Sequence, residues 1–205
     1  MKNPALITTC ALLVLCSASI SCDVKPRVDI ATKPPASNSK TVQHLRIDDS
    51  VIDSKDSFTV IEPVWYSADI YDGEQAYENS LKKFSTEQRY LHAVIWHISE
   101  VDNGGHDQFY SNSTGIVWRD ALAGYKALGL NEAAAILKKS ADLMGGNPSL
   151  DRDERQKQLE EKHPDFEELD TQFFKIKQDD IEAAMKKYIK DHRKAFYFEG
   201  DVQEK

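Results

Sequence analysis

Three histidines, His92, His97 and His106, with Asp107 beside the last, are the side chains best able to do metal chemistry in this 205-residue chain. Imidazole is a common ligand for zinc, and two of them share one helical face when they stand four positions apart. His92 and His97 stand five apart. At about 100° per residue they lie about 140° from one another around a helix, so they do not face one ion. They read as packed or surface histidines. Asn103-Gly104-Gly105 offers backbone N–H groups to a phosphate, but a phosphate loop continues into Gly-Lys-Ser/Thr and this segment does not. It reads as a turn that ends a helix. Gly-x-Ser-x-Gly does not occur, and Cys10, Cys16 and Cys22 all fall within the first 22 residues. Beyond them no thiol nucleophile, cysteine zinc site or disulfide framework can form. Asn112-Ser113-Thr114 matches a glycosylation sequon and reads as chance. No catalytic residue, metal ligand or cofactor is assigned, and the chain is expected to be non-enzymatic. An enzyme with an unrecognised carboxylate or histidine site is the remaining alternative.

Acidic charge is the strongest signal left. The formal net charge is −8, which disfavours direct nucleic-acid binding because that needs a basic footprint. From Asp151 to Glu182 there are twelve carboxylates against six basic residues, so most of the charge is local. Much of this fits a solvated face. Asp151 and Glu154 suit a helix start, Asp165, Glu167 and Glu168 a first helical turn, and Glu182 can pair with Lys186. The functional reading is an array of carboxylates on successive turns, spaced about 5–6 Å apart like phosphates on a strand, on which a basic protein docks. Glu160, Glu161, Glu167, Glu168 and Asp170 are the candidates for that partner-binding face.

The elements that would position these groups are helical. Residues 86–101 carry Leu91, Val94, Ile95, Ile98 and Val101 at three- and four-residue spacing, behind a Ser85/Gln88 capping box and ahead of Asn103-Gly104-Gly105. A short helix is expected near 106–111. Another is expected over 116–128, ended by Gly129, and a further one capped by Asn131 and ended by Gly145-Gly146-Asn147-Pro148. A polar helix from Asp151 to about Lys162 follows, then one opened by Pro164, then a last helix over about 179–195. Hydrophobic residues at 40% and charged residues at 29% suit a soluble domain. The fold class expected is all-α, a single multi-helix bundle with short connections over 58–205.

The N-terminus reads as an address. Lys2, the apolar stretch 5–18 and the small residues 17–21 follow the plan of a secretory signal over 1–22, too short to span a bilayer. Ser21-Cys22 suits a lipoprotein cleavage site, with Cys22 as the lipidated residue. Residues 23–57, with Pro26, Pro34 and Pro35, read as a flexible linker, although 41–52 could form a short strand or helix.

Glu100-Val101-Asp102-Asn103-Gly104-Gly105-His106-Asp107-Gln108-Phe109-Tyr110-Ser111-Asn112 resembles the signature of the DNA mimic protein 19-like family. The likeness continues through 121–129, 133–137 and 166–174 to the helix holding Tyr188, His192 and Phe196, covering about 62–198. The resemblance implies an all-helical fold, a monomer or homodimer, and in some members an acidic surface that occupies a DNA-binding regulator. It implies no catalytic residue. Asn103, Gly104, Gly105, Gln108 and Phe109 are expected to be structural. With the signal, the preferred reading is an exported, lipid-anchored interaction domain in the cell envelope. It would bind a basic protein partner and touch the membrane only through its lipid. A cytoplasmic DNA mimic is the alternative.

Overall fold

The computed structural model describes residues 41–203. The signal, Cys22 and residues 23–40 of the linker lie outside the described residues. Order begins well before Phe58. Strand β1 (Val42–Ile47) and helix α1 (Asp49–Ser54) precede α2 (Ser57–Ser67). Ile47 and Ile52 are buried in the core. Residues 41–57 are therefore part of the domain rather than of a linker. The reason is non-local: β1 pairs antiparallel with a C-terminal strand, β2 (Phe198–Gln203), in a register running from Val42↔Gln203 to Ile47↔Phe198.

Between the strands the chain is helical, as the periodicity predicts. The further elements are α3 (Glu74–Leu81), α4 (Thr86–Ser111), a 3₁₀ turn (Ser113–Val117), α5 (Trp118–Ala127), α6 (Asn131–Leu143), α7 (Arg152–Lys162), α8 (Glu167–Phe173), α9 (Gln178–Asp191) and the single turn α10 (Arg193–Phe196). The all-α class holds, with one two-stranded sheet closing the ends.

The long helix α4 is the axis of the domain and touches α2, α5, α7, α8 and α10. Neighbours on several sides explain why its burial exceeds one stripe. Leu91, Val94 and Val101 are fully buried as expected, but so are His92, Ala93 and His97. His92 turns toward Trp65 of α2 and Tyr77 of α3, whereas His97 turns toward Tyr125 of α5 and Phe173 of α8. The two histidines thus diverge as their five-residue spacing requires.

Local start and stop signals act as the sequence suggests in most places. Ser85 and Gln88 form a reciprocal capping box, Ser85 Oγ accepting from Gln88 N–H at 3.1 Å and Gln88 Oε1 from Ser85 N–H at 3.0 Å. Asp151 caps α7 by accepting from Glu154 N–H at 2.9 Å. Gly129, Gly145 and Gly146 have positive φ after their helices. Asn131 is the exception. It is the first residue of α6 and makes no capping bond, the position before it being taken by Leu130.

Candidate functional site

The segment 100–112 is a structural junction. Helix α4 breaks at Gly104 and Gly105, whose φ/ψ values of −161°/26° and 72°/−175° are not helical, and resumes at once. The second pair of angles belongs to a region that only glycine occupies readily. The break swings the last limb of α4 so that its side chains return to the first limb. Glu100, itself buried, receives three donors, one from that limb and two from just beyond it: Gln108 Nε2 and Asn112 Nδ2 donate to Oε2 at 2.8 and 2.9 Å, and Thr114 Oγ1 of the 3₁₀ turn donates to Oε1 at 2.8 Å. A buried carboxylate needs partners of this kind to remain acceptable in the interior.

A second anchor holds the break from α8. Asp170 Oδ1 accepts from His106 N–H at 2.9 Å and from His106 Nδ1 at 2.5 Å. Gly105 is required here twice over, because a Cβ on it would overlap Asp170 Oδ2 and stand 2.9 Å from Asp170 Cγ. Phe109 and Tyr110 then pack into the core, both fully buried.

Where α4 ends, its carbonyls meet Arg155. This side chain is fully buried although it belongs to the otherwise polar α7. Nε donates to Tyr110 C=O at 2.7 Å, Nη2 to Asn112 C=O at 2.6 Å, and Nη1 to Ser149 and Leu150 C=O at 2.7 and 3.2 Å. Arg152 Nε and Gln156 Nε2 both donate to Ser111 C=O at 3.0 Å. The orphan carbonyls of a helix C-terminus are thus satisfied by a cation, which also suits the negative end of the helix dipole. Burial, with Arg152 nearby, lowers the Arg155 guanidinium to about 10, which leaves it charged at neutral pH. Gly115 makes room for it, since a Cβ there would lie 2.5 Å from Arg155 Nε and 2.7 Å from Phe109 C=O.

A family model described as DMP19-like protein matches residues 82–192, which contain this junction and both acidic helices. The chain belongs to the DMP19-like family. No curated protein and no solved structure gives a significant match. In this DMP19-like domain, of the signature residues, Gly104 and Gly105 form the break in α4, Gln108 returns a bond to Glu100, Phe109 packs into the core, and Asn103 is exposed beside the break.

The acidic candidates divide. Glu160, Glu161, Glu167 and Glu168 are all exposed. The first two occupy the last turn of α7 and the other two the first turn of α8. Between them His163 adopts a left-handed conformation with φ of 45°, and Phe166 is buried as a plug. Asp165 accepts from Glu167 N–H at 3.0 Å and so shapes the start of α8. Asp170 departs from the expectation. It points inward to His106 and is an internal acceptor rather than a member of an exposed face. Glu182 is also occupied, accepting from Ser57 N–H at 3.1 Å and pairing with Lys186 at 3.4 Å.

Among the described residues, no three His, Cys, Asp or Glu side chains converge as metal ligands. The residues that sequence reasoning missed are Glu100, His106 with Asp170 as a pair, and Arg155. In sequence Arg155 differs in nothing from its neighbour Arg152; only the approach of the α4 carbonyls distinguishes them.

Proposed function

We propose that this member of the family is a non-enzymatic protein-interaction domain that captures a basic protein through Glu160, Glu161, Glu167 and Glu168. The observation that supports this most is where Glu160 and Glu161 stand. They are exposed, they make no ion pair among the described residues, and they crowd the C-terminal turn of α7. Carboxylates at that end oppose the helix dipole, so fold stability does not account for them. A cationic partner would relieve the conflict. Glu167 and Glu168 continue the negative charge across the His163–Phe166 connection.

Binding of this type is fast and salt-sensitive. Replacing the four glutamates with glutamine is expected to weaken capture of a basic partner from source-cell extracts at least about tenfold, with the thermal midpoint unchanged. Capture that survives the four substitutions sinks the acidic-face reading.

The signal-like residues 1–22 support an exported domain tethered through a lipid on Cys22. Intact mass and fractionation test this separately. A membrane-fraction species beginning at Cys22 with added acyl mass is the expected result. A soluble species of full length would instead favour the cytoplasmic reading, in which the same face occupies a DNA-binding regulator, as the family resemblance implies.

A further inference from the structure

Helix α8, which carries Glu167 and Glu168, has only seven residues and is too short to be stable by itself. Its inner side holds it. Leu169 and Phe173 are buried, and Asp170 accepts both bonds from His106 at the break in α4. Phe173 lies edge-on to His97 and His106, at ring-centroid distances of 5.2 and 6.2 Å. The two histidine rings are themselves 5.3 Å apart, tilted by 61°, and both are fully buried. His97 Nδ1 meets the hydroxyl of Tyr125 at 2.9 Å. Nε2 of His97 and Nε2 of His106 are buried and without a hydrogen-bond partner among the described residues.

The protonation pattern of this array follows from its ends. A carboxylate only accepts, so His106 carries its proton on Nδ1 and leaves Nε2 as an acceptor. A phenol is a better donor than acceptor, so Tyr125 donates to His97 Nδ1 and leaves a proton on His97 Nε2. The four side chains thus form two hydrogen-bonded pairs, Tyr125 with His97 and His106 with Asp170, joined by the contact between the two imidazole rings from α5 through α4 to α8.

We propose that Tyr125, His97, His106 and Asp170 act together as a latch that fastens α8 to α4 and is released by acid. Among the described residues, the titratable groups that bear on His97 and on its partner Tyr125 are part of this array or adjoin it. His106 faces it from the last limb of α4 and Tyr125 from α5. Asp170 of α8 reaches it only through His106, and Asp102 bears on Tyr125. The rest of its surroundings, Phe109 and Phe173, are apolar. A proton on His97 thus has no carboxylate beside it among the described residues, and full burial disfavours the charge. With α8 lifted, Phe173 and Asp170 depart and His97 meets water, where imidazole takes up a proton near pH 6.5. The open form then binds the proton in preference. The sign follows: the latch is fully closed above about pH 6.5, and its closing constant falls about tenfold per pH unit below that until the buried ring itself titrates.

Hydrogen exchange of the full chain at pH 7.5, 6.5 and 5.5, corrected for intrinsic rates, tests the latch. Residues 166–176 are expected to lose protection about tenfold per pH unit below about 6.5, while residues 118–143 keep theirs. Loss spread evenly over the chain, or no loss, overturns the proposal. His97→Gln keeps a partner for the Tyr125 hydroxyl but takes no proton, so it should flatten the pH dependence in 166–176. A folded variant that retains the wild-type slope also overturns it, and if the variant does not fold, the wild-type exchange decides. That acid would withdraw Glu167 and Glu168 from a partner rests on the acidic-face reading. Exchange is read without any partner, so the two ideas fail separately.

Discussion

Replacing Arg155 with methionine is expected to cost the domain about 3–5 kcal/mol, against a total stability on the order of 5–15 kcal/mol. Methionine preserves much of the apolar stem but none of the five N–H groups. The carbonyls of Tyr110, Ser149 and Leu150 lose the Arg155 donor at once, and that of Asn112 keeps only Gly115 N–H at 3.2 Å. Each buried carbonyl left bare costs on the order of 1–3 kcal/mol, and partial hydration as the site relaxes keeps the sum below the simple total. Arg155→Lys should recover only part of the loss, since a point charge with three rotatable donors cannot match a planar fork that spans four acceptors on two segments. Urea unfolding monitored by tryptophan fluorescence reads both variants. A loss below about 1 kcal/mol for methionine would mean that the carbonyls find other donors.

Gly105→Ala is expected to be nearly as damaging, at about 3–5 kcal/mol, and by a different route. A φ of 72° with ψ of −175° costs an alanine on the order of 1–3 kcal/mol even in open space. Here the space is not open, because the new Cβ collides with the carboxylate of Asp170. Asp170 must then give up its two bonds to His106, which are charge-assisted and worth more than neutral ones. Gly104→Ala is the control. Its φ of −161° is ordinary extended backbone, but the new Cβ would meet Gln108 Oε1 and stand 2.9 Å from Gln108 Cβ, so the end of that side chain must swing away from Glu100 and its root must shift as well. That substitution should cost about 1–2 kcal/mol, less than at Gly105 because no left-handed φ is forced on the alanine. Equal losses at the two glycines would show that the contact with Asp170 contributes nothing to the break.

These junction residues also show what sequence can and cannot display. The capping box at Ser85, the cap at Asp151 and the break at Asn103-Gly104-Gly105 are legible because the groups that satisfy one another lie within four positions. Strand β1 is not, because its partner strand lies more than 150 residues away and only two of its six side chains, Leu45 and Ile47, are buried. The sheet also explains why 41–57, which looks too polar to order itself, joins the domain. Asp170 reads as one more carboxylate in an acidic run until α8 is laid against the break in α4. Arg155 is hidden for the same reason. For the acidic candidates, Glu160, Glu161, Glu167 and Glu168 are exposed as their setting suggests, whereas the inward turn of Asp170 depends on a contact 64 positions away.

The pairing of Val42 with Gln203 closes the domain almost into a ring. A peptide of a few residues would bridge the two strand ends, so the order in which the helices are threaded is nearly independent of where the chain is cut. Fusions joined at Val42 and at Gln203 would emerge at the same pole, beside each other. Attachments made directly at Val42 and at Gln203 would therefore compete for the same neighbourhood at the sheet. Reopening the ring at Gly145-Gly146, a turn already free of helix, would leave the acidic turn between α7 and α8 intact.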